Sequence, residues 1–232
     1  MVSLGNLIQA EFYKIVHRKT LKICIAFAVV IEFMNAFLHG GTQIGTMTLL
    51  IEIIGLMTCA LFAGLSVGAE YGSRTIFHTV TSGKSRGCVW FSKFTAFSVG
   101  CLLILAVNAL AVDTGFLLFH GVGGEIVRHV GSRIASMLMY TVAGVFYDLC
   151  LVSLFFFLAM QIRESGIAIA VSTALTALIV SNSEFLWVDR LFPLMNGNAA
   201  VELIPTGSFL IIILIPVVVM GAGIWVFGRR NL

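Results

Sequence analysis

Six apolar runs dominate this chain, near Leu21–Leu38, Thr46–Gly68, Val89–Val112, Ile134–Met160, Gly166–Ser183 and Gly207–Phe227. An α-helix rises about 1.5 Å per residue, so a run of roughly 18–25 residues covers the ~30 Å hydrocarbon layer of a bilayer. Runs of this length leave few folds open. Backbone groups in lipid must be satisfied within their own segment, which selects helices. The other solution, a barrel, needs ten-residue stretches of alternating polarity, and none appears. Composition agrees: 59% of the residues are hydrophobic and 11% charged, with mean hydropathy +1.04, against about 25% charged in a soluble domain. A water-soluble core of 232 residues cannot hide that much apolar surface. The formal charge of +3 is too small to point to nucleic acid.

The lysines and arginines orient the runs. Lys14, Arg18, Lys19 and Lys22 precede the first. Arg74, Lys84, Arg86 and Lys93 fill or flank the loop after the second. Arg163 separates the fourth from the fifth, and Arg229 and Arg230 follow the sixth. Only Arg128, Arg133 and Arg190 fall on the opposite side. The positive-inside rule therefore predicts cytoplasmic termini. Ahead of the first run, Leu4, Leu7, Ile8, Phe12, Ile15 and Val16 recur at helical spacing, which predicts an amphipathic helix over 1–19 in the membrane interface. The N-terminus lacks the short apolar core and small-residue site of a cleaved signal peptide. The expected fold is an all-α integral membrane protein: one domain over 1–232, with an interfacial helix and six transmembrane helices. Cys24, Cys59, Cys88, Cys101 and Cys150 are odd in number and set in apolar surroundings, as small buried hydrophobes are.

The loop over 70–88 combines basic and apolar residues. Ile76, Phe77 and Val80 share one face of a short helix, bracketed by Gly72 and Gly83. Such a helix suits either the bilayer surface or a groove on another protein. At this point the chain resembles the membrane subunits of type-2 ABC exporters. The resemblance rests on Glu70 at the end of the second run, Thr75 before an apolar pair, the Gly-x-Ser-Arg turn at Gly83–Arg86, and Lys93. The stretch "AEFYKIVHRKT" before the first run is similar to the start of those subunits. The family often has Gly-Thr where this chain has Arg74-Thr75. The resemblance covers the whole length. It implies a permease in the bacterial cytoplasmic membrane, paired with a second permease copy and two ABC ATPase subunits, which carry the ATP and magnesium. Glu70, Arg74, Thr75, Ile76, Phe77, Val80 and Arg86 would then contact the ATPase. Among such subunits the chain is similar to small permeases for lantibiotic- and bacitracin-type peptides, which implies an amphipathic, cationic, peptide-like substrate.

Two motifs suggest other chemistry. "SGKS" at Ser82–Ser85 resembles the tail of a phosphate-binding loop, but the required first glycine is His78 and no strand precedes it. ATP is therefore expected on a partner, with no cofactor or metal on this chain. "GLSVG" at Gly64–Gly68 matches a hydrolase nucleophile elbow, but it sits in an apolar helix. His17, His39, His78, His120 and His129, the possible bases, all lie outside the runs. Ala60, Gly64, Gly68 and Gly72 recur every four residues, so helix packing is the better expectation. Glu32, Glu52 and Asp148 lie within runs, with no lysine or arginine expected deep enough to pair with them. They are either neutralised by polar neighbours or form an acidic pathway for a cationic substrate. A proton- or ion-coupled transporter using these three is the alternative to the exporter, and a membrane hydrolase using Ser66 a third reading.

Overall fold

The structure, a computed structural model, describes residues 4–38, 44–73, 85–120, 148–181 and 206–229. These are helical almost throughout, with no strand among the described residues. The helices are α1 (Leu4–His17), α2 (Lys19–Leu38), α3 (Ile44–Ala63), α4 (Arg86–His120), α5 (Asp148–Ile162), α6 (Ser165–Ser181) and α7 (Thr206–Arg229). A π-helical turn, Gly64–Gly68, and one further α-turn, Ala69–Gly72, prolong α3.

Three stretches are long and apolar enough to cross a membrane: Lys19–Leu38, Ile53–Gly72 and Arg86–Asn108. Asp148–Ile162, Ser165–Ile179 and Leu214–Arg229 are shorter apolar helices within the described residues. The expected fourth run began at Ile134; residues 134–147 lie outside the described ones, as do 121–133 and 182–205. The helix over 4–17 follows the amphipathic spacing. The third run differs most. Sequence suggested an end near Val112, yet α4 continues to His120; "DTGFLLFH" carries no proline to stop it, Thr114 donates back to the Leu110 carbonyl, and Phe119 packs on Phe33 and Phe37.

Opposed contacts give the helix directions. Glu70 meets Lys93, and Phe62 stacks on Phe97 at 5.5 Å, so α3 and α4 are antiparallel. Phe33 and Phe37 meet Phe119, while Arg18 at the foot of α2 reaches the same carboxylate as Lys93, so α2 and α4 run parallel. The core lies where α3, α4 and α5 converge. Trp90 packs edge-on to Phe156 at 5.1 Å, and Phe94 and Phe97 close the group. Each such aromatic pair contributes about 0.5–1.5 kcal/mol beyond burial. Gly223 lets α7 approach Trp90, where an added Cβ would lie 2.2 Å from the indole.

The outward surface carries Phe27, Val30, Met34 and Phe37 on α2, Leu103 and Leu110 on α4, and Val217 and Trp225 on α7. Water would penalise that surface, whereas lipid solvates it. Several hydroxyls inside the helices are satisfied locally: Thr58 donates to the Ile54 carbonyl, Thr95 to that of Phe91 and Thr176 to that of Ser172, the pattern that lets Ser and Thr sit in apolar helices.

Candidate functional site

The chemistry of the described residues concentrates at one end of the bundle. Lys93 lies seven residues inside α4, about 10 Å along its axis, and is only 6% exposed. Its ammonium contacts the Glu70 carboxylate directly and lies 3.3 Å from both oxygens of Glu11. Lys14 adds a 2.9 Å bond to Glu11, and Arg18 a 3.3 Å contact to Glu70. Three cations thus enclose two buried carboxylates and tie α1, the last turn after α3, and α4 into one clamp. Beside it, Arg163 connects α5 to α6 with φ 60° and covers the Tyr71 ring at 5.8 Å. The Arg86 guanidinium donates to the Gly228 carbonyl at 3.2 Å, and Arg229 stacks on Trp225 at 4.1 Å. Arg18, Arg86, Lys93, Arg163 and Arg229 therefore share one rim with α1.

Burial pushes the Glu11 carboxyl up, but Lys93 and Lys14 outweigh it and hold the group below its ordinary 4.5. A carboxyl lowered on folding contributes stability that is complete above the unfolded value and is lost as pH falls through the folded one. We expect α1 to loosen from α4 below about pH 4.5, at the lowered Glu11 value. A spin-label pair across α1 and α4 should report lengthening in that acid window. An unchanged distance throughout the titration would mean that the Glu11 contacts do not hold α1.

The clamp encloses a crevice of about 30 Å³ lined by Arg18, Thr20, Ser66, Glu70, Lys93 and Phe97. At about 10–15 Å³ per water, it holds solvent and excludes an organic substrate. The arrangement suits electrostatic joining of helices rather than bond-making chemistry.

The other expected site residues fall as follows. Arg74, Thr75, Ile76, Phe77 and Val80 lie outside the described residues. The segment they belong to runs between Ser73 and Ser85, which the clamp brings to the same rim. Glu70 turns inward and is engaged within the chain. Ala60, Gly64 and Gly68 face neighbouring helices, and a Cβ on Gly64 or Gly68 would lie 2.3 Å from Ile169 or 2.7 Å from Ser165. Gly72 departs from that stripe, with nothing near it. Ser66 donates to the Phe62 carbonyl within the π-turn, a helical setting unlike a strand–turn–helix elbow. Glu52 belongs to α3, but its side chain is outside the described residues. Asp148 opens α5 near Cys101. Glu32 is 1% exposed on α2, with Asn108 and Asn35 as polar neighbours.

Sequence reasoning missed the clamp because it counted Lys93 with the charges that fill or flank the loop and gave it no carboxylate partner, whereas Lys93 pairs with Glu11 and Glu70. The signal was present: Lys93 interrupts the apolar "VWFSKFTAF", and a charge in an apolar helix asks for a partner. In comparisons with protein-family models, with curated proteins and with solved structures, nothing matches this chain.

Proposed function

We propose that this chain is the permease subunit of an ATP-driven exporter, moving an amphipathic, cationic peptide-like substrate with energy from a separate ATPase. The observation that carries the reading is the clamp. A surface helix, the turn leading into the basic loop at 74–84, and the foot of α4 are joined by buried ion pairs, so force applied at that loop is passed to two apolar helices together. With the rim of cations taken as cytoplasmic by the positive-inside rule, the loop faces the compartment where ATP is available. Six spans with both termini inside, and a second permease copy, belong to the same reading. In this reading Ile76, Phe77 and Val80, apolar residues at helical spacing in the sequence, supply the docking surface, and Arg86 at the start of α4 adds a cation to the contact.

Purification of the tagged full-length chain in mild detergent tests this. An ATPase subunit should co-purify with the wild type and fall at least about tenfold with Phe77→Asp, since a charge in an apolar contact costs several kcal/mol. If no ATPase accompanies the wild type, or Phe77→Asp retains it, the reading fails. The proton- or ion-coupled alternative, using Asp148, Glu32 and Glu52, draws support from the burial of Glu32 and predicts transport by the chain alone in vesicles.

A further inference from the structure

We propose that Glu32 is a proton-binding site inside the membrane: a carboxylic acid enclosed by α2, α3 and α4 that gives up its proton only when these helices part. Glu32 is 1% exposed, and the polar groups beside it are the neutral amides of Asn108 and Asn35. Its level in the bundle follows from its neighbours. Asn108 beside it lies fifteen residues beyond Lys93 on α4, about 22 Å along the helix axis. An ionised carboxylate there would have only neutral amides to replace its water, at a penalty of several kcal/mol.

Among the described residues no counter-charge is in reach. The elements packed on α2 are α1, α3 and α4. Their basic residues, Lys14 and His17 of α1 and Arg86 and Lys93 of α4, stand at or below the clamp, as do Arg18, Lys19 and Lys22 beside or within α2 and the acids Glu11 and Glu70. Cys24 of α2, Cys59 of α3 and Cys101 of α4 lie between the clamp and Glu32. Nearer its own level stand Glu52, three residues from Gly55 on α3, and Asp113, five beyond Asn108 on α4; His120 ends α4 farther out.

A bound proton is the simplest neutralisation. An alkali cation needs a shell of several oxygens, and the surrounding backbone carbonyls are committed to their own helices. The helices also meet too closely for a water shell. A Cβ at Gly55 would lie 2.9 Å from Leu105 and 3.3 Å from the Asn108 amide, and one at Gly115 3.1 Å from Ala36. Proton exchange at Glu32 therefore reports the separation of α2 from α4. This holds whatever drives transport, so it stands or falls apart from the exporter reading.

Infrared spectroscopy of the full-length chain in phosphatidylcholine vesicles tests it. Near neutral pH we expect the carbonyl band of a protonated carboxylic acid, slow to shift in heavy water, lost in Glu32→Gln and kept in Glu52→Gln and Asp148→Asn. Should Glu32→Gln fail to fold, the Glu52→Gln/Asp148→Asn double variant must still show the band. Absence of an acid band in the folded wild type overturns the proposal. Its removal by Glu52→Gln or Asp148→Asn does so too. Disappearance on adding sodium chloride at constant pH would overturn it in favour of a metal-cation site.

Discussion

Replacing Lys93 by methionine should destabilise the protein by about 3–5 kcal/mol, the usual result of removing one partner from a buried charge network. Glu11 and Glu70, 4% and 6% exposed, would face each other without the ammonium between them. Lys14 and Arg18 approach from the exposed side, at 40% and 37% exposure, and solvent weakens what they can offset. Thermal unfolding in mild detergent should show a drop of many degrees that narrows as pH is lowered and the orphaned carboxylates take up protons. Adding Glu11→Gln and Glu70→Gln should recover most of the loss, because a neutral, well-packed set avoids the desolvation of charge. A single Lys93→Met variant as stable as wild type would remove the clamp from the account of the fold. So would a triple variant no better than the single.

The second large effect is expected where α3 meets α6. Alanine at Gly64 or Gly68 inserts a Cβ 2.3 Å from the Ile169 side chain or 2.7 Å from the Ser165 backbone. Main chain stands in the way at both positions, the Ser165 carbonyl oxygen 2.8 Å from the Gly64 Cβ and the Ser165 Cα 2.7 Å from that of Gly68, and it cannot change rotamer. Overpacking of this kind costs about 1–3 kcal/mol, and more where backbone must shift. Gly64→Ala and Gly68→Ala should therefore both unfold at clearly lower temperature than the wild type, a rotation of Ile169 relieving only the side-chain part of the clash at Gly64. Gly72→Ala is the internal control: nothing lies within 4 Å of its added Cβ, so stability should hold or rise slightly with helix propensity. Equal losses at all three positions would mean that the interface is not what the glycines serve.

Periodicity made the helical class, the amphipathic first helix and the position of most boundaries legible, because apolar runs and their flanking charges are local signals. The pairing of helices was not local. Nothing in the spacing of Glu11, Glu70 and Lys93 announces that residues up to 82 apart share one buried contact. The Gly64–Gly68 approach could be anticipated from small residues four apart, but the departure of Gly72 could not: four residues exceed a helical turn of 3.6, so such a stripe drifts around the axis. Glu32 was recognised as an intramembrane acid. That it sits inside the contact of three helices, and not along an open acidic wall, required the packing of Gly55 and Gly115.

The wide turn at Gly64–Gly68 acts as a register element. Residues beyond it are offset from the phase that an uninterrupted α-helix would give them. Rewinding those residues as regular α-helix, with none removed, would swing everything after them by nearly one residue's rotation, about 100°, turning Glu70 away from Lys93 and Tyr71 away from Arg163. The wide turn thus sets the angular address of the whole charged rim relative to the lipid-embedded half.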